Sequence, residues 1–386
     1  MLGALTPWLA AALLALAALG CAYTLAAAVA VRRLGGVDTT AARTFPSVTI
    51  LKPLRGAEGD LHAQLASFCD QDYPGPVQIL FGVHEAADPA IAVVERLIAE
   101  RPGRELQLLV TTEPSGPNPK VATLSGLQGH VRNDIVVLSD SDISVERNYL
   151  ARTVAALAQP GVGLVTCLYR GEPSAGLWAR LASMAVDYHF LPSVRIGLAL
   201  GLARPCFGST IAMRRDTLER IGGFDAFLHH LADDNAMGEA VRALGLQVAI
   251  PHWVVTHACP DRSLAELWSH ELRWGRTLRA VSPIGYAGTA IAHPLPLALV
   301  GAALGGFGAL GAASVAAAIG CRLVLQRQVD HTLRLSPSRW WLGPVRDLLA
   351  FAVYVASFFV DVVSWRGRRY RVRADGTLEP IVEPKA

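Results

Sequence analysis

Residues Met1 to Val31 contain no Asp, Glu, Lys or Arg, and the stretch ends at Arg32-Arg33. A helix of about 20 apolar residues crosses the hydrocarbon of a bilayer, so residues 1–33 read as an N-terminal transmembrane anchor. A cleaved signal peptide would show a basic leading region and a shorter apolar core, and neither is present. Lys and Arg flanking a span stay on the cytoplasmic side, which puts the chain beyond Arg32-Arg33 in the cytoplasm. Composition agrees: 52% of the 386 residues are hydrophobic and only 17% charged, against about a quarter in soluble domains. A net charge of +3 without an aromatic-interleaved basic stripe gives no footing for nucleic acid.

The six cysteines are scattered, with no Cys-x-x-Cys pair, which suits reduced buried thiols rather than a disulfide framework. His252, His257 and Cys259 suggest a zinc site only weakly, because no fourth ligand lies nearby.

From 45 to 280 the pattern is that of one soluble α/β domain. Val48–Leu51, Ile79–Val83, Leu106–Val110 and Ile135–Leu138 are apolar runs predicted as strands, alternating with helix-period segments such as Ala90–Ile98. That alternation implies a mostly parallel sheet. Lys52-Pro53-Leu54-Arg55-Gly56 is predicted to be a turn carrying two cations. Within the domain, residues 177–207 become apolar but are broken by Pro192, Arg195, Gly197 and Gly201. They suit a helix pair lying along the membrane interface, or else a buried core helix. The region 285–365 is expected to hold two or three further transmembrane helices, from the apolar stretches Tyr286–Val324, interrupted at His293-Pro294 and Gly305-Gly306, and Leu348–Val363. Residues 366–386 form a basic tail, expected in the cytoplasm.

Asp140-Ser141-Asp142 directly follows the buried-strand run Ile135–Leu138, at the strand end where open α/β sheets hold ligands. In an extended chain the i, i+2 spacing points both carboxylates one way, an arrangement suited to Mg²⁺ or Mn²⁺ completed by water and phosphate oxygens. An acidic turn is the plainer reading of such a pair. Asp233-Asp234 is a second acidic pair. Neighbouring carboxylates raise one partner's pKa toward that of a general base, and Asp233 also suits the N-cap of a helix over Ala236–Leu244. His270, Arg273 and Trp274 fall on one helical face at i, i+3, i+4. They suit a pyrophosphate and a sugar or acceptor plane, or a juxtamembrane Arg/Trp belt. The loop Gly116–Lys120 offers a cation and free amides at a helix start, fit for phosphate or simply solvated.

The order of these motifs resembles the GT-A glycosyltransferases of the family-2 type, and within them the ceramide glucosyltransferase-like family. The phrases that carry the resemblance are Ile50–Gly56, Phe68–Pro74, Asp88-Pro89-Ala90, Asn118-Pro119-Lys120 and Leu231–Asp234. Val165–Gly171 and His270–Trp274 are most similar to the bacterial hopanoid-biosynthesis-associated members. The resemblance implies a GT-A catalytic domain, Rossmann-like with a mostly parallel sheet, between N- and C-terminal transmembrane helices in the cell inner membrane. It implies transfer of a hexosyl group from a UDP-sugar to a hydroxyl of a membrane lipid, a hopanoid polyol or a ceramide, with a polysaccharide synthase of the same catalytic fold and a non-enzymatic membrane scaffold as the alternatives. Asp88, Asn118, Lys120 and Asp140 would then hold the nucleotide-sugar, Asp140 and Asp142 the Mg²⁺ or Mn²⁺, and Asp234 would be the general base. Arg273 and Trp274 would complete the diphosphate and acceptor site. His270 stands where the family motif usually has Gln or Arg, which makes that position's charge dependent on pH.

Overall fold

The computed structural model describes residues 2–34, 44–57, 59–111, 116–336, 339–359, 362–365, 368–372 and 377–381. The backbone divides into two compact units. One comprises Met1–Gly35, Ala175–Arg204 and Asp261–Arg369, and the other Gly36–Ser174, Pro205–Pro260 and Tyr370–Ala386. The α/β domain expected as a single block over 45–280 is therefore interrupted. Residues 175–204 and the segment from Asp261 onward pack with the apolar helices, because their apolar side chains find partners there.

Among the described residues, two sheets of the α/β unit share ten strands: β1 (Val48–Pro53), β2 (Val77–Val83), β3 (Glu105–Val110), β4 (Ile135–Leu138), β5 (Ile143–Ser144), β6 (Val162–Thr166), β7 (Leu168–Pro173), β8 (Ile211–Arg214), β9 (Gln247–Ala249) and β10 (Val254–Cys259). Seven form one sheet in the order β3-β2-β1-β4-β8-β6-β9, and β5-β10-β7 form a second. β3, β2, β1 and β4 run parallel, while β8 is antiparallel to both its neighbours. The four runs predicted as strands are thus the parallel half of the sheet. Every residue of β1 and β4 is buried, as expected for strands covered on both faces. Ile50, Phe68, Val94, Val137 and Leu150 lie in the core on one side of the sheet, and Leu80, Leu124, Val136 and Met213 in the core on the other.

Lys52 and Pro53 belong to β1 rather than to a turn. The chain leaves the sheet only at Leu54, and Gly56 takes the left-handed conformation (φ 72°) that closes the turn. All six cysteines carry free thiols, and Cys69, Cys167, Cys206 and Cys259 are buried.

Among the described residues of the other unit, two helices are long and apolar enough to cross a membrane, Thr6–Val31 and Ala309–Leu333. A third apolar element, Pro283–Ala292 plus Pro294–Leu304, is bent by 69° at His293. The glycines near residue 305 separate Pro294–Leu304 from Ala309–Leu333, so the stretch from Tyr286 to Val324 contains two apolar elements. The stretch Leu348–Val363 is not one helix. Its helix, Leu342–Ala356, stops short of span length and is followed by a strand at Val362–Trp365.

Small residues let these helices approach closely. A Cβ on Gly20 would lie 2.5 Å from the Ile291 carbonyl oxygen, and one on Gly311 2.8 Å from the Ala302 Cβ. Residues 177–199 form two α-helices joined by a π-helical turn, Val186–Phe190, with Leu181, Met184, Tyr188 and Leu191 buried and Leu200 and Leu202 exposed. Of the tail expected over 366–386, residues 366–367, 373–376 and 382–386 lie outside the described residues. Its strands Arg368–Val372 and Leu378–Pro380 pair antiparallel between Tyr370 and Pro380.

Candidate active site

The site lies beyond the carboxyl ends of β1, β2 and β4. Helix Pro119–Gln128 starts there with Asn118 as N-cap, whose Oδ1 accepts from the backbone N–H groups of Lys120 (3.1 Å) and Val121 (3.2 Å). The Asn118 Nδ2 donates to the His230 carbonyl (2.9 Å) and to Asp233 Oδ1 (3.2 Å). Asn118 is fully buried, so its side chain acts on the site by holding the acidic pair and not by facing a ligand.

Lys120 stands between the two acidic motifs. Its Nζ is 2.7 Å from Asp140 Oδ1 and 3.2 Å from Asp233 Oδ2. Burial alone would lower the lysine's pKa, but the charges of Asp140, Asp233 and Asp234 outweigh it and hold the pKa well above the ordinary value.

Asp233 and Asp234 occupy the first turn of the helix Asp233–Ala243, whose N-cap position is Ala232. The expected N-cap role for Asp233 is therefore not realised. The helix begins earlier than its apolar pattern predicts, and the Asp233 side chain instead meets Asn118 and Lys120. Asp234 Oδ2 accepts from the Gly208 N–H at 3.0 Å, and Oδ1 from the Asn235 N–H at 2.7 Å. Burial first, then the neighbouring Asp233 charge, pushes the Asp234 carboxyl up to about 6, with Lys120 opposing. Gly208 also accepts at its carbonyl from the Asp140 N–H (3.1 Å), so one backbone residue spaces the two acidic motifs.

The chain turns at Ser141-Asp142 instead of continuing extended, and the two carboxylates consequently meet different partners. Asp142 Oδ2 lies 3.3 Å from His257 Nε2, across the antiparallel pairing of β5 with β10. Burial disfavours the charged imidazole, yet Asp142 wins and the His257 pKa is raised well above normal. Asp140 and Asp142 keep 35% and 43% of their side chains exposed. Protein crowding raises the Asp140 carboxyl, Lys120 opposes this, and the Asp142 charge adds to it. Asp88 sits after β2, where its carboxylate accepts from the Gly56 N–H (2.8 and 3.1 Å) and the Ala90 N–H (2.8 Å), fixing the loop that follows β1.

Three participants are not legible in the sequence. Lys52 is fully buried, with Nζ 2.5 Å from the Asp140 carbonyl oxygen and 3.8 Å above the Phe68 ring. Burial pulls its pKa down to about 7 against the Asp140 and Asp142 charges. His257 stands out in the sequence only as a weak zinc candidate, and Gly208 not at all. The Pro53 and Gly56 beside Lys52 suggest a turn, and only the fold places His257 opposite Asp142.

The donor set suits a hard divalent cation. Asp140 and Asp142 offer partly exposed carboxylate oxygens, and a Cβ on Gly208 would fill the space 2.6 Å from Asp140 Oδ2. Among the described residues no three His, Cys, Asp or Glu side chains group around one point. One or two carboxylates suit Mg²⁺-type ions, which share their shell with phosphates and water. Lys120 engages Asp140 and His257 engages Asp142, and both carboxylates keep part of their surface exposed.

His270, Arg273 and Trp274 belong to the other unit, on the helix Leu264–Val281. The His270 and Trp274 rings pack edge to face with centroids 4.3 Å apart, as the i, i+4 spacing predicts, and His270 Nδ1 lies 3.5 Å from Asp261 Oδ1. On the same helix, buried Glu271 forms a two-pronged ion pair with buried Arg346, at 2.7 and 2.5 Å.

The family model for glycosyl transferase family 21 matches residues 12–378. Ceramide glucosyltransferase 1 of Caenorhabditis elegans is 23% identical over 350 residues, which cover 87% of this chain and 73% of the worm protein. The ceramide glucosyltransferase of Candida albicans is 36% identical over 125 residues, covering 29% of this chain and 23% of the yeast protein. Among solved structures, the mannosyltransferase PcManGT from Pyrobaculum calidifontis, in complex with GDP-Man and Mn²⁺, is similar at a TM-score of 0.53. It is 20% identical, and the match covers 90% of this chain and 99% of that one. The sheet order and this likeness show a fold of the GT-A type. The chain belongs to glycosyl transferase family 21.

Proposed function

We propose that the protein transfers a hexosyl group, N-acetylglucosamine or glucose, from a UDP-sugar to a hydroxyl of a membrane lipid with inversion at the anomeric carbon. The observation that carries this reading is the joint hold of Gly208 on Asp140 and Asp234, which sets a base of pKa about 6 at a fixed offset from the Asp-x-Asp motif. A general base works best with a pKa near the operating pH. Asp234 takes the proton of the acceptor hydroxyl as its oxygen attacks the anomeric carbon, and the bond from that carbon to the diphosphate oxygen breaks to release UDP. Asp88 and Lys120 hold the nucleotide-sugar, with Asn118 fixing the start of the Lys120 helix. Arg273 and Trp274 serve the diphosphate and acceptor, and His270 supports Trp274. A divalent cation on Asp142, with Asp140 alongside, would supply neutralisation of the charge developing on the departing diphosphate.

The acceptor is a lipid because apolar helices accompany the catalytic unit in the same chain. Among acceptors a hopanoid polyol is preferred, from the phrases Val165–Gly171 and His270–Trp274. Similarity to named ceramide glucosyltransferases favours ceramide as the second reading. The catalytic unit works at the cytoplasmic face of the inner membrane, with residues 177–207 at the interface. Incubating membranes bearing the protein with radiolabelled UDP-N-acetylglucosamine or UDP-glucose, plus a hopanoid polyol or ceramide, tests the proposal. A labelled lipid supports it, whereas an insoluble polymer or no product overturns it.

A further inference from the structure

Three irregularities meet at one place among the apolar helices. The first is the bend of 69° between Pro283–Ala292 and Pro294–Leu304, with His293 at the break. The second is the π-helical turn Val186–Phe190, which carries His189. The third is Arg322, a buried guanidinium inside the apolar helix Ala309–Leu333, paired with buried Asp347 at 2.6–3.0 Å. Broken helices at membrane depth persist where they line a polar site, π-turns often mark function, and ionisable groups in apolar spans are expensive to keep.

These features are in contact. Arg322 Nη2 lies 2.6 Å from His189 Nε2, and Nη1 donates to the Tyr188 carbonyl at 3.1 Å. The His189 and His293 rings stack with centroids 6.2 Å apart, and Phe351 and Tyr354 flank His293 at 5.6 and 5.2 Å. Every nitrogen of Arg322 is engaged, yet His293 Nδ1 is buried with no hydrogen-bond partner among the described residues. A buried polar atom left unmade is unfavourable unless a ligand completes it.

We propose that His293, with His189 stacked on it and the Arg322–Asp347 pair behind, binds the uncharged hydroxylated head of a membrane lipid. Arg322 and Asp347 cancel each other's charge, and Arg322 has no edge left for a phosphate. The class of ligand is therefore a neutral polyol or hydroxy-amide head rather than an anionic phospholipid. A ligand hydroxyl hydrogen-bonds His293 Nδ1 while Phe351 and Tyr354 cover its apolar flank. This deepens the lipid-acceptor reading and rests on it for the role of the bound lipid as acceptor.

The test uses the full-length protein in detergent with ceramide and, separately, a hopanoid polyol. H293F fills the site and removes the nitrogen, while H293N keeps a polar atom near Nδ1. For the lipid that wild type glycosylates, H293F should raise the acceptor KM by about tenfold, the worth of one buried hydrogen bond, with the UDP-sugar KM unchanged. H293N should recover part of that loss. An H293F protein with a wild-type melting temperature and an unchanged acceptor KM overturns the inference. Should H293F not fold, H293A is read in the same way.

If wild type glycosylates neither lipid, the proposed function fails, and native mass spectrometry of ceramide bound to wild type and H293F still decides the site. Binding lost in H293F supports it, and equal binding overturns it.

Discussion

Lys120 Nζ sits 2.7 Å from Asp140 Oδ1, tying the start of one helix to the turn after the central strand β4. The same ammonium reaches Asp233 at 3.2 Å, so the two acidic motifs share one cation. The way these charges are held sets how the protein should respond to pH, to metal and to substitution.

Asp234→Asn should lower kcat by roughly a hundredfold to ten-thousandfold, the usual worth of a general base, while UDP-sugar binding by isothermal calorimetry stays near wild type. In wild type the acid limb of kcat/KM should fall near pH 6, because the working base is the deprotonated form of a carboxyl whose pKa is about 6. The folded protein holds that proton more tightly than the unfolded chain. The group's stabilising contribution is therefore present at low pH and lost as pH rises through about 6, so activity appears where this stability is given up.

Gly208→Ala should reduce activity far more than stability. The new Cβ would meet Asp140 Oδ2 at 2.6 Å and Lys120 Nζ at 2.8 Å, and both are side-chain ends that can swing away. A melting temperature within a few degrees of wild type, where each kcal/mol is worth about 2–4 °C in a domain of this size, should accompany a raised KM for the UDP-sugar. An unchanged KM would count against the spacing role of Gly208.

Lys52→Met should remove a pH dependence of stability. Folding pulls this lysine from its ordinary 10.5 to about 7, so between those values the unfolded chain binds more protons and wild-type stability should rise with pH. Thermal melts in detergent at about pH 7 and 9.5 should diverge in wild type and converge in the variant, both pH values lying inside the lysine window.

Chelation with EDTA should abolish transfer, and Mn²⁺ or Mg²⁺ should restore it. Asp142→Asn should need roughly tenfold or more added metal for half-maximal rate, the order of loss seen when a carboxylate near a metal is altered. A variant with wild-type metal demand would remove Asp142 from the ligand set.

The parallel half of the sheet is readable because β4 is an unbroken apolar run and β1 and β2 are mostly apolar, the pattern of strands buried on both faces. The Asp-x-Asp motif was readable by its place at a strand end. What could not be read was long-range. Asp233 looked like an N-cap from its neighbours alone, whereas Asn118 and Lys120 recruit it from a distant helix. Lys52 resembled a turn residue because Pro53 and Gly56 adjoin it, yet the Phe68 ring and the Asp140 carbonyl compensate its burial. The Asp142–His257 pair depends on β5 meeting β10, and no local pattern encodes that pairing.

The buried Glu271–Arg346 pair has a mechanical consequence. Glu271 adjoins His270 and lies on the same helix as Arg273 and Trp274, and both its carboxylate oxygens are gripped. Rolling that helix about its own long axis would pull two short ionic contacts apart in a water-poor interior, and doing so is strongly unfavourable. The azimuth at which the Arg-Trp motif points is therefore set by a residue on another helix. Drift in sequence at position 346 would retune the motif's aim without altering any residue within it.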